Sequence, residues 1–259
     1  MSDKKKIKYG VFGLAKSGIA TLKFLDDLGC SIIAWDDSHS NLSSARETQY
    51  KDVTFCDIHD KKWQVIDSLI LSPGIPVNFP KPHPIVSIAQ NAHIEIICDI
   101  ELFYRHFPHN KYIGITGTNG KSTTTKLIGH LLTENDVPNK VVGNIGTPIL
   151  SIKPSEEDVI VIEISSYQLD LVKILHLNAA ILLNITEDHL DRHGTFENYT
   201  KIKYKIFQKQ DKQDTAIINS SLSSKNLSSK VIKFSSDTPL EDGLFLNNNT
   251  IFKNGAPVA

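Results

Sequence analysis

The chain is 259 residues long, 40% apolar and 22% charged, which is enough to bury a sizeable core in one to two globular domains. Its formal net charge of −1 gives no electrostatic footprint for nucleic acid or a membrane surface. No apolar run approaches the ~20 residues a membrane helix needs, and the opening MSDKKK carries no apolar signal segment. Cys30, Cys56 and Cys98 lie far apart without metal-ligand spacing, as expected of reduced, mostly buried thiols in a cytoplasmic protein.

In chain order, residues 7–12 read as a buried strand and 13–18 (GLAKSG) as a turn. A helix then runs through about Leu28, and residues 31–35 form a second strand ending at Asp36-Asp37. This unit carries a degenerate dinucleotide fingerprint: Ala15 stands at the middle glycine of G-x-G-x-x-G, and an acidic residue follows the second strand. Such a turn serves equally as a plain parallel-sheet connection or as a nucleotide or nucleotide-sugar site. Residues 67–71 suit a strand that opens into Ser72-Pro73-Gly74-Ile75-Pro76. That rigid turn lies where open α/β sheets hold ligands. Residues 85–92 suit a helix, 94–98 a strand, and 99–107 a helix with Asp99 as N-cap. Residues 108–111 (PHNK) break this rhythm, and a domain boundary is expected between 1–108 and 109–259.

Residues 112–125 read YIGITGTNGKSTTT. Residues 113–116 suit a short strand, and Gly117-Thr118-Asn119-Gly120 a small-residue turn. Lys121 then opens a helix with Leu127, Ile128, Leu131 and Leu132 at helical spacing. A strand that turns through glycines into a helix start gathers free backbone N–H groups around one point. Together with the helix dipole and the Lys121 ammonium they make a polyphosphate site. Ser122 or Thr123 can place a hydroxyl on a phosphate-bound Mg²⁺. The spacing departs from the strict G-x-x-x-x-G-K-[ST] pattern, because Ile115 stands where the first glycine belongs. A glycine turn without a ligand is the alternative, but turn geometry alone explains poorly a lysine followed by consecutive hydroxyl residues.

Further on, residues 141–142 lead into a second glycine turn, Gly143-Asn144-Ile145-Gly146-Thr147-Pro148. Residues 158–162 suit a strand with Glu163 at its carboxyl end, and 165–169 (SSYQL) begin a helix. Residues 179–183 suit a strand that runs into 184–193 (NITEDHLDRH). A helix over 196–208, strands over 215–218 and 231–234, and a hairpin from 243–246 and 250–253 follow, with no closing helix or further sheet edge expected. Strands alternating with helices imply an α/β fold with mainly parallel sheets covered on both faces.

Three positions invite chemistry. Glu163 stands where a Mg²⁺ held by a phosphate-loop hydroxyl needs a carboxylate; a solvated strand-end charge is the alternative. The ionisable run around His189 suggests a site or, equally, a loop of local ion pairs. On the helix over 196–208, Phe196, Tyr199, Lys203, Ile206 and Phe207 share one face, whereas Lys201 and Lys205 point away. Lys203 therefore falls on the apolar stripe, where desolvation lowers a lysine pKa. A neutral amine there can take up CO₂ as a carbamate, a carboxylate suited to a hard metal. A lysine that snorkels from the core's rim is the plainer reading.

Taken together, GTNGKST at 117–123, SPGI at 72–75, DIELF at 99–103, GNIG at 143–146, EISSYQL at 163–169 and NITEDHLDRH at 184–193 resemble the Mur ligases of peptidoglycan synthesis, in particular their D-glutamate-adding branch. The resemblance covers essentially the whole sequence. It implies an N-terminal Rossmann-like domain that binds a UDP-substrate, then a P-loop-type central ATP-binding domain, incomplete here, with no counterpart of the family's C-terminal domain. By the same resemblance, Gly117, Thr118, Asn119, Gly120, Lys121, Ser122 and Thr123 would bind ATP. Ser122 and Glu163 would hold one Mg²⁺, and His189 with a carbamylated Lys203 a second. Asn144, Ser165 and Gln168, with Ser72, Pro73 and Gly74, would meet the UDP-muramoyl substrate. Leu14, Ala15, Lys16, Ser17, Asp36, Asp37 and Ser38 would cradle its uracil and diphosphate.

The implied reaction is ATP-dependent amide formation between UDP-N-acetylmuramoyl-L-alanine and D-glutamate through an acyl phosphate. A cytoplasmic monomer without nucleic-acid or membrane partners is expected. The competing expectation is a truncated remnant that binds UDP-muramoyl-alanine and ATP but turns over little. A folate-type ligase and a dehydrogenase built on residues 13–18 are weaker alternatives; SSYQL opposes the first and Ala15 the second.

Overall fold

The computed structural model describes residues 6–144 and 146–258. Residues 1–5, Ile145 and Ala259 lie outside it, and with Ile145 the middle of the expected 143–148 turn.

The described residues form two sheets. The first holds β1 (Lys8–Phe12), β2 (Ser31–Trp35), β3 (Val53–Phe55), β4 (Ser68–Leu71) and β5 (Glu95–Ile97), all parallel, in the order β3-β2-β1-β4-β5. Its connections carry α1 (Lys16–Asp27), α2 (His39–Arg46) and α3 (Pro84–Asn91), and α4 (Asp99–His106) follows β5. The strand order reverses between β1 and β4, so the turns after these two strands face each other, as at the ligand crevice of doubly wound folds. There Ser72 Oγ donates to the Gly13 carbonyl at 2.7 Å. A Cβ on Gly18 would stand 1.9 Å from that same carbonyl oxygen, so only glycine lets α1 start this close to β1.

The second sheet contains β6 (Lys111–Thr116), β7 (Asn139–Gly143), β8 (Val159–Glu163), β9 (Ala179–Leu182), β10 (Thr215–Asn219), β11 (Lys230–Ser235), β12 (Leu244–Asn247), β13 (Thr250–Lys253) and β14 (Ala256–Pro257). Their order is β14-β13-β12-β11-β10-β9-β6-β8-β7, with β6 between β9 and β8. Pairing is parallel from β7 to β12 and antiparallel through β13 and β14. Helices α5 (Lys121–Glu134), α6 (Ser166–Leu171), α7 (Leu190–His193) and α8 (Phe196–Tyr204) complete this half. The chain is thus mixed α/β with one parallel and one mostly parallel sheet.

One continuous core links both halves. It runs from Phe12, Leu22 and Leu25 through Ile100 and Phe103 to Ile149, Leu150, Ile162 and Leu182. The other face of the second sheet carries only a small cluster of Ile115, Val161 and Ile181, against which Ile128 and Leu132 are partly buried.

Several expectations need correction. Leu127 and Leu131 are 53% and 51% exposed, and α5 meets the sheet through Thr125, Ile128, Gly129 and Leu132. Helical spacing marks a stripe but cannot say that another layer covers it. Asp99 is the first residue of α4 and Cys98 its N-cap, without a side-chain cap bond. A further sheet edge does follow the final hairpin: β14 pairs antiparallel with β13, and β12 joins β11 in parallel, so the hairpin extends the sheet. Helix α2 and strand β3 are additional elements. The former is capped by Ser38 and too polar to show a stripe, and the latter is only three residues long.

Candidate active site

The site is built on the carboxyl ends of β6, β8 and β9. β6 turns through residues 117–120 into α5, with Gly120 in the left-handed region (φ 82°) as N-cap. The first amides of a helix have no partner within it, so this turn presents donors and a positive dipole end. Lys121 folds back over the turn, and its Nζ donates to the carbonyls of Gly117 (3.0 Å) and Thr118 (2.8 Å). Ser122 Oγ donates to Glu163 Oε2 at 2.6 Å, and Asn144 Nδ2 approaches Glu163 Oε1 at 3.5 Å. A buried carboxylate beside a hydroxyl is an all-oxygen donor pair, the chemistry a Mg²⁺ ion takes.

Lys203 is 1% exposed. Its Nζ donates to the Gly117 carbonyl at 2.8 Å and sits 4.8 Å from the centre of the Tyr199 ring. Two ammonium groups, Lys121 and Lys203, thus share one carbonyl oxygen. Burial, and secondly the repulsion from Lys121, bring the Lys203 pKa down to about 7. Such an amine gives up its proton more readily than a surface lysine. His189, left-handed at φ 52°, lies 5.2 Å from the Tyr167 ring and within 3.4 Å of Asp188.

A cavity of about 330 Å³ brings most of these groups together. Lys121, Asn144, Ser165, His189 and Lys203 line it, with Pro73 and Gly74 from the first half and Ser166, Tyr167 and Tyr199. Glu163 is 2% exposed and lines neither this cavity nor its neighbour; it touches the lining through Asn144, and its other oxygen accepts from Ser122. A second cavity, of about 340 Å³, lies between Ala15, Lys16 and Ser17 on one side and Gly143, Asn144, Gly146 and Pro148 on the other. Asn144 borders both.

Other expected site residues sit differently. Leu14 is a core residue whose N–H donates to the Asp36 carboxylate. Asp36 also accepts from Ser38 N at 2.6 Å and Asn41 Nδ2 at 3.1 Å, and so ties the first turn to α2. Asp37 pairs with His83 at 2.8 Å. Ser72 holds the Gly13 carbonyl. Gln168 is 2% exposed and lines neither cavity. Its Oε1 accepts from Ser165 N at 3.1 Å, in a capping box that starts α6, and its Nε2 donates to Asp99 at 3.0 Å. Thr123 is exposed beside the turn.

The sequence reading left roles for Asn184, Tyr199, Arg192 and His193 unassigned. Thr118 Oγ1 and the Tyr199 hydroxyl are 3.1 Å apart. Arg192 donates to the carbonyls of Gly74 (2.9 Å), Ile75 (3.0 Å) and Pro73 (3.3 Å), and lies 4.5 Å from the Tyr167 ring centre. His193 stacks on Tyr167 and contacts Ser166 Oγ at 2.9 Å; burial lowers its pKa. The density of ionisable groups in NITEDHLDRH was the available signal. It marked the segment without telling which side chain reaches where.

A glycine turn opening a helix, a buried lysine and a carboxylate–hydroxyl pair gather at the carboxyl ends of one mostly parallel sheet. The family model of the Mur ligase middle domain matches residues 115–252, and the chain belongs to the Mur ligase family. Among curated relatives, a UDP-N-acetylmuramoylalanine–D-glutamate ligase of Rickettsia bellii is 43% identical over 264 residues, covering 98% of this chain and 57% of the relative. The enzyme of the same name from Rhizobium meliloti is 39% identical over 259 residues, covering 95% and 55%. The chain thus spans little more than half the length of these relatives. Among solved structures, the UDP-N-acetylmuramate:L-alanyl-gamma-D-glutamyl-meso-diaminopimelate ligase of Neisseria meningitides superposes with a TM-score of 0.62 at 15% identity, over 97% of this chain and 86% of that one. MurF of Thermotoga maritima, in complex with ADP, gives 0.50 at 16% identity over 98% and 55%. At such identities the likeness is one of fold.

Proposed function

We propose that this chain carries the UDP-substrate and nucleotide sites of an ATP-dependent ligase that adds D-glutamate to UDP-N-acetylmuramoyl-L-alanine. In this reading residues 1–108 supply one wall of the substrate site and residues 109–259 the ATP site, in a cytoplasmic monomer. The observation that supports it most is the meeting of Lys121, Lys203 and His189 around one cavity, whose lining residue Asn144 contacts the Glu163 carboxylate that Ser122 also binds.

In the reaction, the L-alanyl carboxylate attacks the γ-phosphorus of ATP and ADP departs. The amine of D-glutamate then attacks the acyl carbon, phosphate leaves, and the nitrogen loses its proton. The first step brings two anions together. Lys121 and the α5 amides would bind the phosphates and spread their charge. Ser122 and Glu163 would hold one Mg²⁺, and His189 with carbamylated Lys203 the other. Bound magnesium supplies the charge neutralisation that phosphoryl transfer needs. Ala15, Lys16, Ser17 and Asn144 line the neighbouring cavity, which suits the diphosphate of the UDP-substrate; Pro73, Gly74 and Ser165 would meet its muramoyl end.

Titration calorimetry with UDP-N-acetylmuramoyl-L-alanine and, separately, Mg·ADP tests this reading. Both are expected to bind, and Glu163→Gln to weaken Mg·ADP by 10-fold or more, a rough figure for disturbing a metal site, while sparing the UDP-sugar. Binding of neither ligand would overturn the proposal.

A further inference from the structure

The phosphate turn runs from Gly117 to Gly120 with Thr118 and Asn119 between them, and Ile115 stands where the strict pattern has its first glycine. A side chain from outside the turn holds its backbone. Asn184, directly beyond β9, inserts its carboxamide against the turn. Its Oδ1 accepts from Thr118 N at 3.1 Å and Asn119 N at 2.9 Å, and its Nδ2 donates to the Asn119 carbonyl at 3.1 Å. Its own carbonyl also accepts from Thr118 N at 3.0 Å. On the far side, Thr118 Oγ1 accepts from Thr186 N at 3.0 Å and lies 3.1 Å from the Tyr199 hydroxyl.

The pattern separates two roles for Asn184. A side chain standing in for a phosphate would offer only acceptors to the loop. Asn184 both accepts from and donates to the same short segment, which no anion can do. We infer that Asn184 is a positioning residue: it braces the turn from the loop after β9, keeps the Thr118 and Asn119 amides out of phosphate binding, and leaves the α5 amides from Lys121 onward as the anion's donors. This rests on the nucleotide reading above and adds to it which backbone amides face the phosphates.

Amide hydrogen exchange on the 259-residue chain, with and without Mg·ADP, tests the brace in the wild-type protein. Thr118 and Asn119 are expected to be protected already without nucleotide and to change little on its addition, while Lys121 and Ser122 gain protection. The variants Asn184→Ala and Asn184→Gln should lose protection at Asn119, while Thr118 keeps the main-chain carbonyl of residue 184 as acceptor. Both should also lose nucleotide affinity in proportion to phosphate number: roughly 10-fold or more for ATP, less for AMP, and nothing for UDP-N-acetylmuramoyl-L-alanine, since charge-assisted bonds to phosphate are the stronger kind and depend on the turn's geometry. A uniform loss across all ligands is what general destabilisation would give, and it would overturn the inference. So would wild-type Thr118 and Asn119 amides that exchange freely until nucleotide is added. Failure of the wild-type chain to bind any nucleotide, with Asn184-dependent protection intact, would instead count against the proposed function alone.

Discussion

Lys203 shows how one side chain can be tuned by where the fold places it. Its neighbours on α8 and in the turn are Tyr199, Thr116 and the Gly117 carbonyl, and no carboxylate hydrogen-bonds to its amine among the described residues. Burial and then Lys121 depress its pKa to about 7. The native state therefore binds fewer protons than the unfolded state between that value and the ordinary lysine value. Stability must rise with pH across this window, and the cost of the buried ammonium is fully present below it. Lys203→Met, which keeps the length and removes the charge, should flatten that rise. Urea denaturation at about pH 6 and about pH 9 checks it: the variant should gain on the wild type at the lower pH and lose that advantage at the higher. An unchanged slope would remove Lys203 as its source. The position of Lys203 on an apolar stripe was legible from i, i+3, i+4 spacing. Its second lysine neighbour was not, because Lys121 lies on a different element.

At the scale of elements, α5 departs most from its pattern. Of its four leucine and isoleucine positions, Ile128 and Leu132 meet the sheet and Leu127 and Leu131 meet solvent. Leu127→Glu and Leu131→Glu should therefore change the stability of the 259-residue chain by no more than about 0.5 kcal/mol each, as for ordinary surface substitutions. Thermal or urea denaturation of either variant showing a loss of several times that would mean the helix face is covered. By contrast, α6 is only six residues long and owes its start to the Ser165–Gln168 capping box. The same box removes Gln168 from the cavity. The string SSYQL marks a helix start, but a carboxamide's choice between cap and ligand depends on Asp99, 69 residues away.

For the whole molecule, the key contact is the one Arg192 makes across the two sheets. Its guanidinium binds three successive carbonyls of the turn after β4 while its face lies over Tyr167. This planar, multi-donor grip fixes Pro73 and Gly74 as a wall of the cavity that Lys121 and Lys203 enter from the other sheet. Arg192→Ala should cost roughly 0.5–1.5 kcal/mol, the range for an ordinary hydrogen bond, because its acceptors are exposed or half-buried and water can replace it. It should also speed hydrogen exchange at the Ile75 amide, which now donates to Ser72, without altering exchange in β6. Unaltered exchange at Ile75 would show that the turn holds itself.

What the amino-acid sequence determined by itself is local: hydrophobic period, glycine turns, the lysine after Gly120, and the alternation of strands and helices that makes mainly parallel sheets. These follow from near neighbours, since backbone sterics and side-chain periodicity act over a few residues. The tertiary structure alone decided which distant groups meet: Asn184 on the phosphate turn from 65 residues away, Arg192 on the first sheet's turn from 118, Gln168 withdrawn into a cap, and two leucines left in water. Hydrogen bonds and burial depend on separation in space, and only the packed strand order converts distance along the chain into contact.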